Sequence, residues 1–286
     1  MNEKIMLWND QRKSYIKPFL INDGKPHPAV LIIPGGAYRG VCEASEGTPI
    51  AQKFNQSGLN AFVLVYRVFP CTFPAPQQDA MRAMRIIRGN AEKYQVDSNR
   101  LGICGFSAGG HLGATLGTAI CENVDASNGD DFDQESFRPD FLILCYGVLS
   151  FRDDLAFDSK TARNLLGENE EKSNKMYYSP DKQVTENTPP SFIWHTVSDQ
   201  IVDYRCSVFF AQALAEKYIP VELHLFPFGR HGMLQGIDTP DVSDWPRLAR
   251  RFIAVHTGEI KLDPDTYTNA YQCKAENGRS GFLIEQ

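Results

Sequence analysis

Six short apolar runs separated by longer amphipathic stretches set the limits on what this chain can fold into. The runs are Ala29–Ile33, Ala61–Tyr66, Leu101–Phe106, Phe141–Tyr146, Phe192–His195 and Val221–Phe226, bounded by Gly, Pro, Asn or Asp. Several are apolar without alternation, the pattern of strands covered on both faces. Helical spacing marks Thr48–Gln56, Ala75–Tyr94, Ser107–Ile120, Tyr204–Tyr218 and Asp241–His256. In the longest of these, Ala80, Met81, Met84, Ile87 and Ala91 share one face. Strand–helix alternation of this kind predicts an α/β fold: a mostly parallel central sheet, right-handed crossovers and helices on both faces.

The chain has 286 residues, enough for one large domain over 1–286 with a core at about 25–256. Two stretches interrupt the rhythm. Glu122–Asp140 is acidic and polar and reads as an exposed loop; 151–190, ending in Pro189-Pro190, reads as a small lid-like insertion at one sheet edge. The segment 257–286 is a polar C-terminal extension that could serve a subunit contact in a homo-oligomer. A net charge of −6 with both signs interspersed argues against a nucleic-acid partner. The seven cysteines are scattered without metal-type spacing and read as free thiols, so neither a metal nor a disulfide framework is expected. Met1–Asp10 lacks the apolar centre of a signal peptide, and no stretch approaches the roughly 18 apolar residues of a membrane span. A cytoplasmic protein without a membrane partner is the expectation.

Chemistry concentrates at Gly105-Phe-Ser-Ala-Gly109, which fits G-x-S-x-G between an apolar strand and a helix. A serine on such a tight strand-to-helix turn has an exposed hydroxyl, and the helix N-terminus favours negative charge beside it. Ser107 is therefore the candidate nucleophile. Acyl transfer also needs backbone N–H donors where the carbonyl oxygen becomes negative. Ala108, next after the serine, supplies one; the Gly35-Gly36 turn after the first run offers Gly36 and Ala37 for the other. A serine hydroxyl needs a histidine base, and the base needs a carboxylate to hold its tautomer. His231 lies in a Gly-flanked loop after the last apolar run, the place for such a base. Asp199, on the loop after Phe192–His195, is the preferred acid. Asp203 is its rival, although an N-cap role suits it; Asp153 and Asp154 are more distant alternatives. The remaining histidines read as surface, strand or helix residues.

The set Pro34-Gly-Gly-Ala-Tyr38, Val65-Tyr-Arg67, Gly105–His111, Pro189–His195, Asp199-Gln-Ile-Val202 and Gly229-Arg-His-Gly232 resembles the acetyl-esterase group of α/β-hydrolases. That group includes acetyl-xylan esterase-like and related carbohydrate esterases, and the likeness spans roughly 25–256. The resemblance implies an α/β-hydrolase fold and a Ser107–His231–Asp199 triad. It also implies an oxyanion hole from Gly36, Ala37 and Ala108, with no cofactor. Two departures stand out: lipase relatives usually carry His where this chain has Pro34, and the family often has Pro where it has Asp203. Neither removes a catalytic group. The implied substrate is a small or oligosaccharide ester bearing a short acyl group, with Tyr38, Trp194 and residues of Ser150–Pro190 expected along the alcohol side. Arg67 and Asp79 are expected to form a buried structural ion pair. A general carboxylesterase, an arylformamidase-like amidase and a peptidase share the same chemistry and are the rival readings. A non-catalytic binding module is the reading from outside enzymes.

Overall fold

The computed structural model describes residues 3–10, 12–155, 160–167 and 175–261. Eight strands form one sheet: β1 (Ile5–Met6), β2 (Tyr15–Phe19), β3 (His27–Ile33), β4 (Asn60–Val65), β5 (Val96–Phe106), β6 (Leu142–Cys145), β7 (Ser191–Thr196) and β8 (Val221–Phe226). The helices are α1 (Thr48–Gln56), α2 (Ala75–Gly89), the single turn α3 (Ala91–Tyr94), α4 (Ala108–Gly117), α5 (Lys160–Leu166), α6 (Arg205–Glu216) and α7 (Trp245–His256). The strand order is β1-β2-β4-β3-β5-β6-β7-β8. From β4 to β8 every pairing is parallel, while β1–β2 and β2–β4 are antiparallel.

The apolar runs fail to alternate because both faces of the sheet are covered. On one face Leu31, Ile33, Phe62, Leu64, Ile103 and Leu144 meet α2, α4 and α6 through Met84, Ile87, Leu112 and Phe210. On the other, their strand neighbours Val30, Ile32, Val63, Cys104, Ile143 and Trp194 meet α1 and α7 through Ile50, Phe54, Trp245 and Phe252. A buried Leu, Ile or Phe of this kind contributes roughly 1.5–3 kcal/mol relative to exposure. The N-terminal strands were not anticipated: β2 reads Tyr-Ile-Lys-Pro-Phe and buries only Ile16, so it has no apolar run. The helix predicted over Ala75–Tyr94 breaks at Asn90 into α2 and α3.

Of the cysteines, Cys104, Cys121, Cys145 and Cys206 are buried and Cys42 and Cys71 exposed, all free; Cys273 lies outside the described residues. Most of the extension at 257–286 and parts of the insertion at 151–190 also lie outside them. Among the described residues no helix is long and apolar enough to cross a membrane.

The Arg67–Asp79 pair is present, joining the end of β4 to α2. Arg67 donates to Asp79 from its backbone N–H at 2.7 Å and from Nε at 3.0 Å, and Trp8 Nε1–H donates to the same carboxylate at 2.6 Å. Asp79 is fully buried, so losing its cation would leave a charge in the core. Breaking a buried pair from one side typically costs about 3–5 kcal/mol. Arg67→Glu is expected to lower the unfolding free energy by at least about 3 kcal/mol in urea titration, and an unchanged midpoint would refute the structural role.

Candidate active site

The four loops that carry the candidate residues leave the carboxyl ends of parallel strands. Ser107 follows the central strand β5, Gly36 and Ala37 follow its neighbour β3, Asp199 follows β7 and His231 follows β8. Outside the carboxyl ends of the strands is where open α/β sheets bind ligands.

Ser107 has φ 54° and ψ −120°, a conformation that costs a non-glycine residue on the order of 1–3 kcal/mol. Its surroundings enforce it. The N–H of Ser107 donates to Cys145 O at 3.0 Å, and its carbonyl accepts from His111 and Val148, each at 3.2 Å. Gly109 explains why the pattern demands a small residue there: a Cβ would lie 2.0 Å from Ile33 O.

Ser107 Oγ lies 2.8 Å from His231 Nε2, and His231 Nδ1 lies 2.7 Å from Asp199 Oδ2. A carboxylate only accepts, so Nδ1 carries the hydrogen and Nε2 accepts the serine O–H. Asp199 is held by further donors: Ile201 N–H at 2.8 Å and Val202 N–H at 3.0 Å reach Oδ1. Burial alone would push the Asp199 carboxyl up. The hydrogen bonds from His195 and His231 outweigh burial and hold it well below the usual carboxylate range.

Sequence reasoning placed His195 inside a strand and gave it no part in the site. It is fully buried, yet its Nε2–H points at Asp199 Oδ2 (3.2 Å) and Val202 O (3.1 Å), while Ser207 O–H donates to its Nδ1 at 2.8 Å. Asp199 is thus held by two histidines. The His195–Asp199 spacing was the available signal, and only the loop geometry turns it into a contact. Asp203 is elsewhere, forked by Arg205 Nε and Nη2 at 3.0 and 2.7 Å. Asp153 and Asp154 are exposed and face Lys175 and Arg205. His27 and His224 pair with Asp23 and Glu222.

On the donor side, Gly36, Ala37 and Tyr38 have φ of 127°, 54° and 55°, a run of turned residues that aims successive N–H groups into a concavity. The backbone N–H groups of Gly36, Ala37 and Ala108 have no acceptor among the described residues. Asn164 of α5 donates to Ala37 O at 2.8 Å, so the insertion braces the same loop. Ser107, Gly36, Ala37, Glu46, Thr161 and His231 face one cavity of about 480 Å³, within the range of small-molecule sites. An open groove of about 630 Å³ lies beside it, walled by Ser198, Gln200, Ile201, Arg230 and His231.

Tyr38 and Trp194 do not meet the expectation that they line this space. Both are fully buried: Trp194 stacks on Trp245 at 5.6 Å, and Tyr38 O–H donates to His111 Nδ1 at 2.7 Å. Trp194 sits mid-strand, so its side chain enters a helix-covered face. The Tyr38 backbone turns its ring inward.

Glu46 was missed. Its buried carboxylate accepts from Gly35 N–H at 2.6 Å and Tyr146 O–H at 2.9 Å. Burial raises its pKa, the two hydrogen bonds offsetting part of the rise.

His111, one turn past Ser107, donates from Nε2 to Tyr178 O at 2.9 Å. Burial drives its pKa from 6.5 down to about 4. An unfolded histidine takes up its proton near 6.5, so between these values the unfolded state binds more protons and stability is lost as pH falls. The melting temperature should drop from pH 7 to 4, with His111 contributing on the order of 2–3 kcal/mol at most. His111→Gln should flatten that drop, and an identical pH dependence in wild type and variant would contradict the assignment.

Three comparisons bear on this geometry. Residues 20–214 match the model of the BD-FAE family. Endo-1,4-beta-xylanase B of Butyrivibrio fibrisolvens is 41% identical over 219 residues, 75% of this chain and 34% of that protein. The acetylxylan esterase of Xylanibacter ruminicola is 29% identical over 208 residues, 71% of this chain and 40% of that protein. The chain thus spans well under half the length of either curated relative. Among solved structures, the acetyl ester-xyloside bifunctional hydrolase from Caldicellulosiruptor lactoaceticus superposes with a TM-score of 0.81 at 36% identity, covering 88% of this chain and 95% of that one.

Proposed function

This chain belongs to the BD-FAE family of α/β hydrolases, and from that premise we propose that it is a serine esterase removing short acyl groups, acetyl above all, from carbohydrate hydroxyls. The observation that carries the reading is the hydrogen-bonded sequence Ser107–His231–Asp199, opening on a cavity rimmed by backbone donors. Ser107 Oγ attacks the ester carbonyl carbon while His231 Nε2 takes its proton. The carbonyl electron pair moves onto oxygen, which accepts from the N–H groups of Gly36, Ala37 and Ala108. Collapse expels the alcohol with the proton from His231, and water activated by the same histidine releases the acid. Asp199 keeps the tautomer and stabilises the imidazolium.

The leaving oxygen takes its proton from His231, so the alcohol lies on that residue's side. The groove there, with Ser198, Gln200 and Arg230 beside apolar Ile201, suits a hydroxylated ring. The carbohydrate assignment draws on the relatives as well. Xyloside hydrolysis gains no support from this site. Most glycosidases need two carboxylates flanking the sugar, and among the described residues the cavity wall offers only Glu46.

Ser107→Ala should lower the hydrolysis of a short aryl acetate by roughly 10⁴-fold or more with the fold intact, and full residual turnover would refute the reading. Asp199→Asn should cost on the order of 10³–10⁴-fold and Asp203→Asn less than about threefold; the reverse order would move the acid. Acetate release from acetylated xylo-oligosaccharides is expected to exceed cleavage of N-formyl and peptide substrates, and a preference for the amides would reassign the substrate class.

A further inference from the structure

We infer that Glu46 is a positioning residue that sets the gap between the donor loop and the nucleophile; this rests on the serine-esterase reading above. Glutamate is rarely buried unless paired, and burying an unpaired carboxyl is costly. Glu46 is only 6% exposed, and no Lys or Arg among the described residues forms an ion pair with it. Its hydrogen-bond partners are instead Gly35 and Tyr146, which adjoin the proposed donor loop and the proposed base.

The first is Gly35, whose N–H reaches Glu46 Oε2 at 2.6 Å. Gly35 is wedged against the nucleophile: a Cβ there would lie 2.9 Å from Ser107 Cβ, 2.8 Å from Phe106 O and 3.0 Å from Glu46 Oε2. The next two residues in the chain are Gly36 and Ala37, the proposed oxyanion donors. Fixing the Gly35 amide therefore fixes where their N–H groups point relative to Ser107. The second partner is Tyr146, whose O–H reaches Oε1 at 2.9 Å. The Tyr146 ring meets the His231 ring edge to face, with centroids 5.0 Å apart. One carboxyl thus ties the donor loop after β3 to the support of the base at the end of β6. Glu46 touches no reacting atom in this scheme; it acts through Gly35 and Tyr146.

A residue of this kind should matter more for the transition state than for substrate binding. The test compares wild type with Glu46→Ala, Glu46→Asp and Glu46→Gln on an aryl acetate, together with inhibition by a trifluoromethyl ketone that forms a tetrahedral adduct on the serine. Removing one oxyanion donor costs about 10²–10³-fold in kcat, and a misplaced loop should cost somewhat less. Glu46→Ala and Glu46→Asp, which cannot reach Gly35, are expected to lose roughly 10–100-fold in kcat with KM within about threefold, and to bind the ketone more weakly by a similar factor. Glu46→Gln retains an oxygen for the Gly35 amide and should recover most of the loss. If the alanine variant does not fold, the aspartate and glutamine pair carries the test. Wild-type kcat and ketone affinity in Glu46→Asp, or glutamine no better than aspartate, would overturn the positioning role. Turnover surviving in Ser107→Ala would instead overturn the esterase reading itself, so the two failures are distinguishable.

Discussion

The left-handed backbone at Ser107 is the constraint on which the rest of the site depends. A serine does not hold φ 54° unaided; the surrounding fold over-determines it. Three hydrogen bonds to its own N–H and C=O come from β6, from the loop after β6 and from α4. The helix that follows can approach β3 because Gly109 has no side chain. The strain at one residue is thus distributed over the central strands and a buried helix. Such support is available to Ser107 because it follows β5, which lies between β3 and β6, rather than a strand at the edge of the sheet.

From that fixed point the other groups must arrive across the sheet. His231 comes from the loop after the edge strand β8 and spans β7 and β6 to reach Ser107. Tyr146, at the end of β6, supports its ring. Asp199 reaches His231 from the loop after β7, and the buried His195 of the same strand holds its other side. Ser207 at the start of α6 fixes His195 in turn. A carboxylate with no solvent access would be unfavourable, yet two backbone amides and two imidazoles satisfy its oxygens. The edge position of β8 is offset by this sequence of contacts running inward.

Much of this was legible in the sequence, for identifiable reasons. Doubly covered strands lack alternation, so β3 to β7 appear as plain apolar runs, and the serine elbow depends on local spacing alone. Asp199 and His231 stand out because each lies on a loop directly after an apolar run. What escaped depends on contacts between distant segments. The short β2 carries Lys17 and Pro18 and buries one residue, so it exists because β4 offers it a partner. Tyr38 and Trp194 were expected along the alcohol side of the cavity. A positive φ at Tyr38 and a mid-strand position for Trp194 send both into the core. Glu46 lay in an unremarked Glu-Ala-Ser-Glu-Gly stretch, and its partners are 11 and 100 residues away.

The two buried carboxyl groups of the site are handled in opposite ways, and the contrast accounts for their different work. Asp199 is surrounded by donors, two of them imidazoles, so its charge is favoured despite burial. In the proposed mechanism that negative charge faces the imidazole of His231 as it takes the serine proton. Glu46 is also buried, but its two donors are neutral and only partly offset the loss of water. A fully exposed charge on Glu46 would oppose the negative oxygen forming beside Ser107. Both of its oxygens are instead engaged by Gly35 and Tyr146. Environments that push two carboxyl groups apart in pKa are a way of assigning them separate roles. In the proposed mechanism the depressed one orients the base, and the raised one, through its bonds to Gly35 and Tyr146, orients the donor loop.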